Sequence, residues 1–78
     1  MRFFIHAIPD QKLGEIPVLV VETKNHLSEP EQETLLTVIK PLVDKTELPR
    51  QIFQTERFSE TENGKINRKE SFRKAVNK

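Results

Sequence analysis

The residue best suited to act on an anionic ligand is Lys65, which follows Gly64 in the polar segment 59–65. The pair Asn63-Gly64 favours a tight turn, because glycine readily adopts a positive φ. A lysine ammonium is charged at neutral pH, so such a turn could carry a cation into a cleft of another domain. The segment is not a phosphate-binding P-loop, since Ile66 follows the lysine where that motif requires serine or threonine. On these residues alone, a solvated surface lysine is the simpler interpretation.

Other reactive side chains form no recognisable catalytic or metal-binding set. The sequence has no cysteine, and its two histidines, His6 and His26, lie far apart, so no metal site is predicted. His6 is interpreted as a packed side chain of a strand. The serines and histidines form no nucleophile–base constellation that can be recognised from the sequence. Tyrosine and tryptophan are absent, which argues against a nucleic-acid-binding surface that stacks bases.

Charge is unevenly distributed along the chain despite a net charge of +1. Residues 1–39 carry three basic and six acidic residues, whereas residues 40–78 carry ten basic and six acidic residues. Most of the basic excess lies near the end of the sequence, at Lys65, Arg68, Lys69, Arg73, Lys74 and Lys78. Such a cluster can attract phosphates, although a solvated helix face explains any one member equally well.

A length of 78 residues, 35% of them hydrophobic, predicts one small folded domain. The longest apolar run, 16–21, is far shorter than the ~20 residues that a membrane-spanning helix needs. The sequence does not begin like a signal peptide. We therefore expect a cytoplasmic protein without a membrane span.

The pattern of apolar residues predicts the element order β-β-α-β-α. Strands are expected at 3–8, ended by Pro9, at 16–22, with Pro17 tolerated at the first position of the strand, and at 50–56. Ser28 predicts a helix start with Glu31 completing a capping box, and Pro41 predicts that this helix kinks or splits. Asn67 predicts the start of a last helix, with Phe72 and Val76 as its apolar stripe. These elements form an α+β fold, a small three-stranded sheet with two main helices packed on it.

The sequence of residues 61–68, TENGKINR, resembles the last core motif of the adenylate-forming enzymes, T-x-x-G-K-[IV]-x-R. The similarity extends upstream. Residues 8–15 resemble the family's turn before a central apolar strand, and 48–50 resemble the Pro-[Lys/Arg] before its final strand. The matches are in register over nearly the whole chain. The chain is thus similar to the mobile C-terminal subdomain, or lid, of these enzymes.

The resemblance implies an ATP-dependent carboxylic acid–CoA ligase in which the lid covers a nucleotide-binding body. Lys65 would be the catalytic lysine of acyl-adenylate formation, with Thr61, Asn63 and Gly64 in the loop at substrate and nucleotide. Contacts to CoA phosphates are expected from the basic residues Arg50, Arg68, Lys69 and Arg73. ATP and Mg²⁺ would be bound mainly by the N-terminal body, which this 1–78 fragment lacks, so the isolated fragment should be inactive.

The resemblance also names partners and a candidate substrate. The partners would be the N-terminal domain of the same enzyme, the carboxylic acid, ATP and CoA, with no nucleic acid. CoA ligases are favoured over peptide synthetases because no carrier domain follows the last predicted helix. The candidate acid is o-succinylbenzoate, an intermediate of menaquinone biosynthesis.

Two residues depart from the family pattern. Ser59 stands where many members have proline, so the context read by regulatory acetyltransferases around Lys65 is incomplete. Ser71 stands where leucine is usual, and Phe72 is expected to take over its packing. The alternative to a catalytic lid is a non-catalytic module, derived from an adenylation domain, that binds anions or a partner.

Overall fold

A three-stranded sheet with a helix on each face organises residues 2–77, the part of the chain that our computed structural model describes. The strands are β1 (Phe3–Asp10), β2 (Gly14–Glu22) and β3 (Ile52–Thr55), and the helices are α1 (Glu29–Ile39) and α2 (Arg68–Val76). Two short 3-10 turns, Lys40–Leu42 and Lys45–Glu47, follow α1. The predicted α+β fold is confirmed. Lys78 of the basic cluster lies outside the described residues.

Strand β2 is the centre of the fold. It pairs antiparallel with β1 and parallel with β3, and its residues Val18 to Val21 are fully buried. Successive side chains point to opposite faces of the sheet and so belong to two separate cores. Val18 and Val20 pack beneath α2, whereas Leu19 and Val21 pack beneath α1. An uninterrupted apolar run is what a strand covered on both faces requires.

The two prolines of the sheet lie further inside their strands than predicted. The expectation that Pro9 ends β1 is wrong, since the strand continues to Asp10 and Pro9 pairs with Glu15. Backbone hydrogen bonds to β2 fall on the even-numbered residues of this edge strand, so the Pro9 nitrogen faces outward and no ladder bond is lost. Pro17 is the fourth residue of β2, where β3 has not yet begun.

Helix α1 follows its sequence signals closely. The Ser28 hydroxyl accepts the Glu31 N–H at 3.4 Å, and the Glu31 carboxylate accepts the Ser28 N–H at 3.1 Å, which is the predicted capping box. The hydrogen bonds that the Glu31 carboxylate accepts from the Ser28 N–H and, at 2.9 Å, from the Ser28 hydroxyl hold the pKa of the Glu31 carboxyl below its usual value. The helix ends at Ile39 and continues as a 3-10 turn containing Pro41, so the predicted break is confirmed.

Helix α2 starts where predicted, with the Asn67 side chain accepting the Glu70 N–H at 3.1 Å. Its apolar stripe is different from the prediction. Ser71 and Ala75 are its buried residues and Phe72 is half-buried, whereas Val76 is 48% exposed. The assignment of Val76 to the core is wrong because the helix turns the small residues, not the large one, toward β2 and β3. Strand β3 is also shorter than the predicted 50–56.

Candidate functional site

Lys65 lies near the tip of a small two-stranded hairpin, residues 59–67, called here the Lys65 loop. Glu60 and Ile66 form an antiparallel bridge, and the Thr61 N–H donates to the Lys65 carbonyl at 2.8 Å. The Gly64 N–H donates to the Thr61 carbonyl at 2.9 Å, closing the turn. The loop is thus hydrogen-bonded across its own width.

The conformation at Gly64 directs the lysine. Gly64 has φ +78°, in the left-handed region, whereas no other residue type in the described chain has a positive φ. The turn is therefore a type I turn followed by a left-handed glycine, rather than the Asn-Gly turn with two positive φ values. Ile66 packs against the core beneath α2, so its neighbour Lys65 points the opposite way, to solvent.

The ammonium group of Lys65 is free in residues 2–77. The side chain is exposed, and no hydrogen bond or salt bridge with the described residues engages it. The predicted loop residues divide into two kinds. Thr61 supports the loop, because its hydroxyl accepts the Lys65 N–H at 3.3 Å, whereas Asn63 is exposed at the turn.

The base of the Lys65 loop is fixed to helix α2. The Ser59 N–H donates to the Ser71 hydroxyl oxygen at 2.9 Å, and the Ser59 carbonyl accepts the Asn67 N–H at 2.8 Å. Ser71 is fully buried. Phe72 packs against the same core, with its ring 5.4 Å from that of Phe53, and its replacement of a leucine at position 71 stays a prediction.

An ionic network fixes the other side of the loop base. The Arg2 guanidinium donates to both carboxylate oxygens of Glu22, at 2.9 and 2.8 Å, and to Glu60 at 3.2 Å. The Glu22 carboxylate also accepts the Phe58 N–H at 2.8 Å. The hydrogen bonds from Arg2 and then from Phe58 lower the pKa of Glu22 to about 2. Sequence spacing does not predict this network, because its members lie far apart along the chain.

The basic residues predicted to contact CoA are only partly brought together. Lys69 and Arg73 line an open cavity of about 680 Å³ whose wall includes His6 and Phe72. Arg73 also pairs with Glu70 at 2.8 Å on the helix surface, a contact of little energetic weight. His6 stacks on Phe72 with 4.6 Å between ring centroids, in agreement with its interpretation as a packed side chain.

Arg50 and Arg68 do not line that cavity. The Arg68 guanidinium lies 5.8 Å from the centre of the Phe4 ring, a cation–π contact that holds it against β1. Arg50 precedes β3, and its N–H donates to the Pro17 carbonyl at 3.0 Å. Contacts of these four side chains to CoA stay a prediction.

The described residues provide neither a metal site nor a membrane span. Within 2–77, no three His, Asp or Glu side chains cluster closely enough to hold a metal ion. No helix among these residues combines the length and the apolar character needed to cross a bilayer.

Comparison with solved structures relates this arrangement to known proteins. An acyl-CoA synthetase (AMP-forming)/AMP-acid ligase II-like protein from Dyadobacter fermentans matches 95% of the chain, with 35% sequence identity and a TM-score of 0.75. The acyl-CoA synthetase of Brucella canis matches 85% of the chain, with 25% identity and a TM-score of 0.69. The chain resembles one segment of acyl-CoA synthetases. No family model matches the sequence, and no curated protein matches it significantly.

The resemblance concerns a small share of each synthetase. The matched region covers 21% of the Dyadobacter protein and 12% of the Brucella protein. Both neighbours are enzymes that match most of this chain, which supports the resemblance to an adenylate-forming enzyme fragment.

The Glu22 network predicts a specific pH dependence of stability. The pKa of Glu22 is lower in the folded chain, about 2, than its ordinary value of 4.5, so the folded state binds this proton less tightly. Its contribution to stability is therefore complete above pH ~4.5 and is lost as the pH falls toward ~2. We expect Glu22→Gln to lower the free energy of unfolding by roughly 2 kcal/mol at pH 6 and by almost nothing near pH 2.

Urea unfolding at pH 6, 4 and 2.5 measures this difference. Glu33→Gln is the matched control, because Glu33 is an exposed carboxylate on α1 that accepts no side-chain hydrogen bond from residues 2–77. An equal pH dependence in the wild-type chain and in Glu22→Gln would contradict the assignment.

The two glycines with positive φ provide a matched pair for the backbone of the loop. Gly14 has φ +84° and Gly64 has φ +78°, and a Cβ at either position would meet no atom within 4 Å. We expect Gly14→Ala and Gly64→Ala each to lower the free energy of unfolding by about 1 kcal/mol, from backbone strain alone. Gly64→Asn should cost less, since asparagine tolerates this conformation. Unfolding of Gly64→Ala at the wild-type urea concentration would show that the turn conformation is not required.

Proposed function

We propose that the chain is the C-terminal lid of a cytoplasmic, ATP-dependent carboxylic acid–CoA ligase, and that Lys65 acts in acyl-adenylate formation. The single observation that carries this proposal is an exposed lysine, without a partner among residues 2–77, on a loop fixed at both ends. The similarity to acyl-CoA synthetases supports the reaction class.

The reaction explains why a lysine is needed. A carboxylate oxygen forms a bond to the α-phosphorus of ATP, while the bond to the bridging oxygen breaks and pyrophosphate leaves with that electron pair. Two anions must approach each other, so positioned positive charge dominates catalysis. The Lys65 ammonium would lie between the attacking carboxylate and the α-phosphate and reduce their repulsion. Mg²⁺ would neutralise phosphate charge from a site in the rest of the ligase.

The second step needs a different face of the lid. The thiol sulfur of CoA attacks the acyl carbon and AMP leaves, so the lysine has completed its part. A lid with its own core can rotate as a rigid unit between the two steps. The cavity beside Lys69 and Arg73 lies on α2, which begins immediately after the Lys65 loop. We propose these two residues as contacts to CoA phosphates.

The acid itself is chosen elsewhere in the ligase. We propose o-succinylbenzoate as the candidate acid, as the sequence resemblance suggests, which would place the enzyme in menaquinone biosynthesis. A panel of carboxylic acids offered to the complete ligase in ATP–pyrophosphate exchange tests this choice.

Lys65→Ala in the complete ligase should lower the rate of adenylation by roughly 10²–10³-fold, the scale for removal of one well-aimed electrostatic donor. Thioester formation from acyl-adenylate supplied ready-made should stay within about threefold of wild type, because the lysine no longer faces the reacting atoms. ATP–pyrophosphate exchange and single-turnover thioester formation measure the two steps separately.

Lys12→Ala is the control for Lys65→Ala, since Lys12 is also an exposed lysine in a turn that contains a glycine with positive φ. Lys65→Arg should recover little activity, because a planar guanidinium does not reproduce a compact ammonium. Equal loss of both steps, or loss of neither, would favour the non-catalytic anion- or partner-binding module.

The double substitution of Lys69 and Arg73 by alanine should raise the KM for CoA by roughly tenfold, because two charged contacts to phosphate are removed. ATP–pyrophosphate exchange does not involve CoA and should not change. The double substitution of Lys40 and Lys45 by alanine, at two exposed lysines in the 3-10 turns, is the charge-matched control. An unchanged KM for CoA in the variant without Lys69 and Arg73 would exclude this cavity as the phosphate contact.

A further inference from the structure

The hydroxyl of Ser71 is the polar group that ties the Lys65 loop to the interior. Its oxygen accepts the Ser59 N–H at 2.9 Å, and its O–H faces the Ser59 carbonyl at 3.4 Å. The side chain is fully buried, and no buried side-chain N or O atom among residues 2–77 lacks a partner. A buried hydroxyl that engages both backbone groups of one residue is a specific connection rather than a packing contact.

Ser59 lies at the base of the Lys65 loop, so its hydrogen bonds to Ser71 fix the loop relative to α2. Ser59 directly precedes Glu60, whose bridge to Ile66 forms the base of the loop. The Ser59 carbonyl also accepts the Asn67 N–H, and Asn67 is the N-cap of α2. Both ends of the loop are therefore hydrogen-bonded to the same helix, and the direction in which Lys65 leaves the domain is set relative to α2.

Among the described residues, the Ser71 hydroxyl is the one acceptor that the Ser59 N–H has. The loop itself is exposed from Thr61 to Lys65, so burial of apolar surface does little to order it. Glu22 and Arg2 fix the adjacent residues Phe58 and Glu60, but they make no hydrogen bond to Ser59. Loss of the Ser71 oxygen would leave a half-buried N–H without an acceptor, and the Ser59–Asn67 backbone hydrogen bond would remain as the polar contact of Ser59 with α2.

We propose that Ser71 is a positioning residue for Lys65, acting through Ser59 and without contact to any substrate. The effect of Ser71 on adenylation rests on the proposed function of Lys65. The fixing of the loop base by the Ser71 hydroxyl does not depend on that function. Breaking the connection leaves the Ser59–Asn67 backbone hydrogen bond and the Glu60 contact as the remaining polar contacts of the loop base, about which the loop can pivot. The lysine then samples several directions, and fewer encounters of acid and nucleotide find it in place.

The structural part is tested on the 78-residue chain by amide hydrogen exchange. In Ser71→Ala we expect exchange at the Ser59 N–H to become about tenfold faster, with a smaller increase at Asn67. The Leu19 N–H, which donates to Gln51 at 2.9 Å in the sheet, is the reference for global unfolding. Acceleration confined to the loop base supports the proposal, whereas an equal acceleration at Leu19 and Ser59 overturns it.

Two further variants separate the hydroxyl from packing. Thr55→Val removes another buried hydroxyl, one that lies 3.5 Å from the Arg57 carbonyl, and should leave Ser59 exchange unchanged relative to Leu19. Ser71→Thr keeps the hydroxyl and adds a methyl group, so slow exchange at Ser59 should persist even if stability falls. Fast exchange at Ser59 in a folded Ser71→Thr chain would overturn the proposal. This variant therefore tests the proposal even if Ser71→Ala does not fold.

The catalytic part is tested in the complete ligase. Ser71→Ala should lower the rate of adenylation by about tenfold and leave thioester formation from supplied acyl-adenylate unchanged, while Thr55→Val changes neither. Selective exchange at Ser59 without loss of adenylation overturns the positioning role. Failure of the proposed function itself is distinct, since it appears as full adenylation activity in Lys65→Ala.

Discussion

The constraint on which this structure depends is that an almost wholly exposed loop must hold a charged side chain in one direction. Residues 61–65 bury no core surface, and only Ile66 of the Lys65 loop packs inward. The hydrophobic effect, which orders most of a small domain, is therefore weak here. The loop is therefore ordered by polar contacts at its base. Glu22 accepts the Phe58 N–H on one side, and Ser71 accepts the Ser59 N–H on the other.

The central strand places the carboxylate of Glu22 where it can make those polar contacts. Strand β2 is buried on both faces from Val18 to Val21, so each face supplies a separate apolar cluster under its own helix. Glu22 follows this buried run at the end of the strand, which places a carboxylate at the margin of the core. Its side chain is 19% exposed and forms a salt bridge with Arg2. The carboxylate charge is therefore mostly shielded from water but is paired, which avoids the cost of burying an isolated charge. The loop is thus attached to the most rigid part of the sheet.

The sequence predicts the local features well and the distant ones poorly. Ser28, Pro41 and Asn67 act through neighbours a few residues away, so their roles could be read directly from spacing. The continuous apolar run likewise predicted a central strand. The error at Pro9 arose because a proline is compatible with an edge strand when its nitrogen faces outward, and sequence does not state which way it faces.

The candidate site shows the same division. The turn at Gly64 and the exposure of Lys65 follow from neighbouring residues, whereas the contacts that hold the loop span long distances. Arg2 meets Glu60 across 58 residues of sequence, and Ser59 meets Ser71 across 12. Pairings of that kind depend on how strands and helices are brought together, and no spacing rule encodes them.

The contact between Ser59 and Ser71 explains two features that seem independent in the sequence. Each departs from the pattern of the adenylate-forming enzymes, with proline usual at the first position and leucine at the second. A proline has no N–H and so needs no acceptor, and a leucine offers none. Serine at position 59 with leucine at position 71 would leave the half-buried N–H of residue 59 without its acceptor, at a cost of about 1–3 kcal/mol. Ser71 thus supplies the acceptor that an N–H at position 59 requires. Phe72 fills neighbouring space against Phe53, and a hydrogen bond takes over the fixing of the loop base.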